Sequence, residues 1–322
     1  MAIRRGLDFI LSVAHDPAYF ADYGDDLLWC LYSISATSAD PELRHLARAA
    51  GRERALAWRR SHPTLAPNSN AGNIAELAFG SYAADRLGVP DPRLKNQIRA
   101  AAARFPVEDY LDFDPRREPP PANIPRPCAK CHAHNVRGAS VCHRCGARLT
   151  MRSRYDIWCD ALVTTYTGDR YGVTLGRPWR EVIQWLPAMR PYRGPGGNPE
   201  FQDMIYAVTH VVYTMNDYSV RRMNPACLRP EFEFLKANLE ASVTARDAET
   251  LGEFMDTLRS FGLDDSDPAM SKSVDYLLSA QNADGSWGNP KDPDIYDRYH
   301  STWTAVDGLR AYRFARARRC RP

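Results

Sequence analysis

The strongest constraint on the fold is that the chain resembles itself. "ELAFGSYAADRLGV" (76–89) and "DALVTTYTGDRYGV" (160–173) align without a gap. They share Tyr82 with Tyr166, Asp85 with Asp169, Arg86 with Arg170, Gly88 with Gly172 and Val89 with Val173. "AVTHVVYTMNDYSV" (207–220) keeps the Tyr as Tyr213 and the final Val, and "DLLWCLY" (26–32) keeps the acid and the Tyr. "ETLGEFMDTLR" (249–259) and "HSTWTAVDGLR" (300–310) fit the same frame more loosely. Between them lie segments such as "PELRHLARAAGRERALAWRRSH", which read as amphipathic partner helices, while strand-like alternation is scarce. Helices of two kinds alternating about six times must bury their apolar faces on one another, in a solenoid or a closed barrel of helix pairs.

One segment stands outside this pattern. "PCAKCHAHNVRGASVCHRCGARL" places Cys128, Cys131, Cys142 and Cys145 in a C-x2-C-x10-C-x2-C spacing. Each C-x2-C turn presents two thiolates to one ion, and two turns complete a tetrahedron. The segment resembles a zinc ribbon, with a rubredoxin-like iron as the alternative. Four thiolates close the coordination sphere, so the expected Zn2+ is structural and folds a segment too short to build its own core. His132, His134 and His143 lie nearby but are not needed as ligands. Cys30, Cys159, Cys227 and Cys320 are expected to be free thiols. The Pro-rich "DFDPRREPPPANIPRP" precedes the module, as a stiff linker would. The chain thus divides into a helical body over 1–117, a linker and inserted ribbon over 118–150, and the rest of the body over 151–322.

Net charge is +3, and apart from five lysines the basic residues are arginines spread along the chain. That spread gives no electrostatic case for a nucleic-acid partner. The tail "RFARARRC" is the one dense cluster and reads as solvated. The apolar run in "MAIRRGLDFILSVAHDP" is interrupted by Asp8, and no stretch has the roughly twenty apolar residues of a membrane helix. A soluble, cytoplasmic protein is expected.

"DPAMSKSVDYLLSAQNADGSWG" (267–288) carries Gln281, Gly285 and Trp287 in the order Q-x3-G-x-W. It resembles the QW repeat of triterpene cyclases, whose family forms closed α/α toroids, and "GLDFILSVAHDP" resembles a degenerate copy. The resemblance implies an all-α fold, an α/α toroid of about six inner/outer helix pairs with the small zinc-ribbon module inserted. Asp264, Asp265 and Asp267 sit in a polar turn where helix capping explains them. The DxDD acid motif of class II terpene cyclases is absent from the sequence.

Six residues before the shared Tyr position stand Asp26, Glu76, Asp160, Ala207, Glu249 and His300, and His210 lies one turn beyond Ala207. On inner helices these groups would converge. Converging carboxylates cost several kcal/mol unless protonated or neutralised by a cation, and a metal is one solution. Acids also cap helix starts, but a cationic His is disfavoured there, so His300 is expected as a neutral imidazole free to bind metal. "GSWGNPKDPDIYDRYHSTWTAVDGL" resembles the D-x-Y-H segment of protein prenyltransferase β subunits. That resemblance implies that His300 binds a catalytic metal. The family's D-x-C is met by "RDAET", with Asp247 for the Asp and Glu249 for the Cys. A set of two carboxylates and one His is a harder ligand set that Zn2+, Fe or Mn could accept, with Zn2+ or Fe as the expected second metal. Lys291 and Arg298 are implied as diphosphate-binding cations. Trp29, Phe79, Trp158, Tyr206, Phe254 and Trp303 either line an apolar pocket or fill the core.

Three functions follow. The first is a metal-dependent prenyltransferase- or cyclase-like enzyme holding an apolar, isoprenoid-type small molecule or a peptide, with His300, Asp247, Glu249, Asp160, Glu76 and His210 as catalytic candidates. The second is a non-haem iron oxidase holding one or two irons on the ring of Asp26, Glu76, Asp160, His210, Glu249 and His300. The third is a recognition module whose zinc ribbon docks a partner protein.

Overall fold

The computed structural model describes residues 1–315. Its elements in chain order are α1 (Ala2–His15), α2 (Pro17–Thr37), α3 (Pro41–Ser61), α4 (Ala71–Arg86), α5 (Pro92–Ala102), α6 (Glu108–Leu111), α7 (Arg154–Tyr171), α8 (Trp179–Ile183) and α9 (Leu186–Met189). They continue with α10 (Phe201–Asn216), a 3-10 turn (Pro225–Leu228), α11 (Arg229–Ala245), α12 (Ala248–Phe261), α13 (Pro268–Ala280) and α14 (Ile295–Leu309). Among the described residues the fold is all-α, and strand-type pairing is limited to isolated bridges. No helix is long and apolar enough to cross a membrane.

The helix starts are written locally. α2, α3, α5 and α13 each open with Asp-Pro, at Asp16, Asp40, Asp91 and Asp267. The Asp side chain accepts from the first free amides, and the proline sits where its missing N–H costs nothing. Asp267 is therefore a cap, as expected, while Asp264 accepts from Ser266 and Asp265 pairs with Arg259 at 2.7 Å. At the other end, Gly172 (φ 74°) and Gly262 (φ 101°) close α7 and α12 in the left-handed region.

The helices carrying the six aligned segments are α2, α4, α7, α10, α12 and α14. Each packs on the next in chain order, and α14 also packs on α2. The intervening helices flank this circuit: α1 and α3 lie on α2, α5 on α4, α8 on α7, α11 on α10 and α12, and α13 on α12 and α14. The closest crossing is between α12 and α14. A Cβ on Gly252 would lie 2.3 Å from the backbone of Thr304, so only glycine fits there.

The Q-x3-G-x-W segment ties the two ends of the circuit together. Gln281 Nε2 donates to the carbonyls of Ala2 and Gly285, both at 2.9 Å, and Arg5 donates to the carbonyls of Asn282 and Ala283. Trp287 is fully buried and donates to the Leu277 carbonyl at 2.7 Å. Its ring occupies the space left open by Gly6, so the two segments that resemble QW repeats lie against each other.

The cysteine module lies between α6 and α7 and has a small core of its own around Cys128, Cys142 and Leu149. Bridges Pro125–Met151 and Val141–Arg148 are its only pairings of strand type among the described residues. Of the other cysteines, Cys30 and Cys159 are free and buried. Cys227 departs from expectation, because it is disulfide-bonded. Cys320 and most of the basic tail lie outside the described residues.

Candidate functional site

A cavity of about 60 Å3 lies inside the circuit, walled by α2, α10, α12 and α14. α12 contributes Glu253 and Asp256, and α14 contributes His300, Trp303, Thr304 and Asp307. α10 adds His210 and Tyr213, Ser33 comes from α2, and Tyr218 closes one side. The helical repeat explains why these groups share a face: Glu249, Glu253 and Asp256 fall at spacings of four and three, and His300, Trp303 and Asp307 at three and four. His210 and His300 were expected here. Glu253, Asp256 and Asp307 were not, although their spacing on the same stripes was visible.

The electrostatics centre on His300. Its Nδ1 lies 3.1 Å from Glu249 Oε1, and the Tyr206 hydroxyl donates to the same carboxylate. Burial opposes the cation, but the hydrogen bond and charge of Glu249, with Asp26 and Glu253 behind it, raise His300 to about 9. His300 is thus an imidazolium at neutral pH, contrary to the neutral imidazole expected. His210 is the opposite case: burial lowers it to about 4, and it stays neutral. Burial raises Asp26 to about 6, against the pull of His300.

Two further carboxyls are poised near neutrality. Burial raises Glu253 to about 7, and its carboxyl accepts from the Thr209 hydroxyl at 2.8 Å. Burial, with the neighbouring charge of Asp307, raises Asp256 to about 7, and Ser219 donates to it at 2.7 Å. Asp307 is anchored by Arg310 at 2.5 Å and by the Trp303 indole at 2.8 Å.

Tyr218 sits in a turn where Asp217, Tyr218 and Ser219 all have left-handed φ, at 65°, 50° and 59°. Non-glycine residues adopt that region at a cost, so surrounding contacts must hold it. Those contacts come from the repeat. Ring centroids of Trp29, Tyr166 and Tyr213 lie 5.1, 5.3 and 5.5 Å from that of Tyr218. Tyr32 and Tyr82 pack on Trp29 at 5.2 and 5.5 Å. The tyrosines that align in sequence therefore meet around one aromatic plug. Of the other flanking aromatics, Trp303 lines the cavity, whereas Trp158 and Phe254 are fully buried core.

The remaining predicted residues are elsewhere. Asp247 caps α12: its Oδ1 accepts from the Thr250 amide at 3.0 Å and its Oδ2 from the Thr250 hydroxyl at 2.6 Å. Asp160 is exposed and paired with Arg152. Glu76 faces an open cleft of about 710 Å3 shared with Asp25, Trp58 and His62. Arg298 pairs with Asp284 and lies 5.1 Å over the Phe9 ring, which ties up the cation expected for diphosphate. Lys291 is exposed on the loop before α14. Of the residues expected to converge, the structure gathers Asp26, Glu249, His300 and His210 and leaves Glu76, Asp160 and Asp247 apart. The His300–Asp247–Glu249 set is not gathered as three ligands: His300 and Glu249 meet at 3.1 Å, but both Asp247 oxygens serve the cap and the three donors do not come within 4.8 Å of one another.

The four cysteines do fit a metal. Among the described residues they are the one set of three or more ligating side chains whose donor atoms all lie within 4.8 Å of one another. Cys128–Cys145 and Cys131–Cys142 sulfurs are 3.5 and 3.6 Å apart, close to the roughly 3.8 Å edge of a tetrahedron with Zn–S bonds of about 2.3 Å. The two turns are built alike: the Cys128 amide donates to Ala133 and the Cys142 amide to Ala147, with His132 (φ 57°) and Gly146 (φ 72°) in the same left-handed conformation. The sulfurs share their protons unevenly: neighbouring amides and sulfurs hold Cys128 and Cys142 down, while burial and the same sulfurs push Cys131 up, as expected of thiols packed closely enough to bind one ion. These four cysteines can hold a metal such as zinc.

No known protein family matches this chain, and no curated protein or solved structure matches it.

Proposed function

We propose that the circuit of six helices is an α/α toroid and that its central cavity is an acid–base site acting on an apolar substrate of the isoprenoid class. The observation that carries this reading is the pair of buried carboxyls, Glu253 and Asp256, both held at about 7 in one aromatic-walled cavity. A carboxyl that keeps its proton at neutral pH can protonate an alkene carbon, and its carboxylate can later take a proton from the adjacent carbon, so that the substrate is isomerised or cyclised without redox change. Trp303, Tyr213 and Tyr218 present ring faces that favour developing positive charge. The cavity is well below the roughly 300–1,000 Å3 of ordinary ligand pockets, so a long substrate requires Tyr218 to move aside. In this reading the four-cysteine module is a zinc ribbon with a structural Zn2+.

The test is to incubate the protein with farnesyl- and squalene-type polyenes in D2O and analyse products by mass spectrometry. Deuterium at carbon is expected, with turnover falling about 100-fold or more in Glu253→Gln or Asp256→Asn. Absence of any product from the wild-type protein, or turnover untouched by both substitutions, would overturn the reading.

A further inference from the structure

Between Glu118 and Asp156 the sequence contains no acidic residue and carries Arg126, Lys130, Arg137, Arg144, Arg148, Arg152 and Arg154. The ion pairs sort these cations by direction. Arg126 pairs with Asp156 of α7 at 2.6 Å, Arg137 with Glu118 at 2.6 Å, and Arg152 with Asp112 at 2.7 Å, all holding the module to the chain on either side of it. Lys130, Arg144 and Arg148 are exposed and belong to no ion pair among the described residues. Lys130 and Arg144 hold the same place in the two C-x2-C turns, the third position of each, next to Cys131 and Cys145. Arg148 is bridged to Val141. Val141 and Val136 are 54% and 79% exposed, unusual values for aliphatic side chains in so small a module.

We propose that this outer face of the cysteine module is a docking surface for an acidic, aliphatic-containing polypeptide segment of another protein. Three exposed, unpaired cations and two bare valines on one small module, with Arg148 directly across from Val141, match a strip of carboxylates with interleaved apolar side chains. Nucleic acid fits less well, because three unpaired cations make a short phosphate track and residues 114–154 offer no Phe, Tyr or Trp for stacking, only the smaller exposed imidazoles of His132, His134 and His143. The surface is independent of the chemistry assigned to the central cavity.

The experiment uses the zinc-loaded full chain and fluorescence anisotropy. One probe is a labelled peptide of alternating Asp/Glu and Val/Leu, and the others are its Asn/Gln counterpart, a labelled oligo-dT and a duplex DNA. Saturable binding of the acidic peptide alone is expected, weakening with salt and dropping at least about tenfold in Lys130→Glu/Arg144→Glu. Arg60→Glu, an exposed reversal on the distant α3, is expected to leave it unchanged. Should the double reversal lose zinc, Lys130→Ala/Arg144→Ala decides by the same drop. No saturable peptide binding, binding indifferent to these substitutions, or tighter binding of either nucleic acid would overturn the proposal.

Discussion

At the residue scale, His300 and Glu253 give opposite charges to one cavity and the same sign of pH dependence. His300 is raised in the folded state, so its stabilisation is present in full below its unfolded value near 6.5 and is lost as pH rises through about 9. Glu253 is also raised; the folded chain holds a proton that the unfolded chain has released, and stability falls as pH rises from about 4.5 to 7. Glu253→Gln is therefore expected to be more stable than wild type above pH 7 by about 1–3 kcal/mol, with the difference vanishing near pH 4. Urea midpoints measured across that range check it, and a pH-independent difference would mean that Glu253 ionises normally. His300→Gln removes one partner of a buried pair and is expected to cost about 3 kcal/mol at pH 6, shrinking above pH 9. Sequence spacing identified His300 and Glu249 because both lie on the inward stripe of their helices. It could not say that Glu76 and Asp160 would stay apart, since spacing fixes a face but not the distance across a cavity. For Glu249 and His300 the close approach of α12 to α14 at Gly252 permits the contact.

At the scale of elements, the α12–α14 crossing is the most sensitive joint. Gly252→Ala would set a methyl group against the Thr304 backbone and is expected to destabilise by about 3 kcal/mol, read as a fall in thermal midpoint. The cysteine module responds differently. Removing its metal with a chelator is expected to release protection of the Cys128 and Cys142 amides to hydrogen exchange while α12 and α14 keep theirs. Simultaneous loss in both regions would mean that the module is part of the main cooperative unit. The elements themselves were largely legible. The acid cap before α13 and the C-x2-C sulfur cluster were expected from the sequence, and the Asp-Pro pairs that open α2, α3 and α5 carry the same capping signal. The Tyr218 turn was not legible, because three successive left-handed residues without glycine have no plain local signature; the Tyr218 amide bonded to the Tyr213 carbonyl, the Ser219 amide bonded to Asn216 Oδ1, and the packed rings together hold them.

On the scale of the whole molecule, the circuit has a seam where α14 meets α1 and α2. Across it Gln281 reaches the Ala2 carbonyl, Trp287 fills the space beside Gly6, and Arg310 donates to the Thr37 hydroxyl at 2.8 Å. Deleting residues 295–315 is expected to leave a chain that binds a hydrophobic dye and unfolds without a sharp transition, measurable by fluorescence and calorimetry; a sharp transition would show that the rest folds alone. The seam also sets a timetable for biosynthesis. Its contacts span nearly the full length of the chain, so entropy delays them longest. Without α14, Glu253 and Asp256 lack one wall of their cavity, so burial no longer favours their protonated forms, and docking of α14 onto α12 is expected to take up protons at neutral pH.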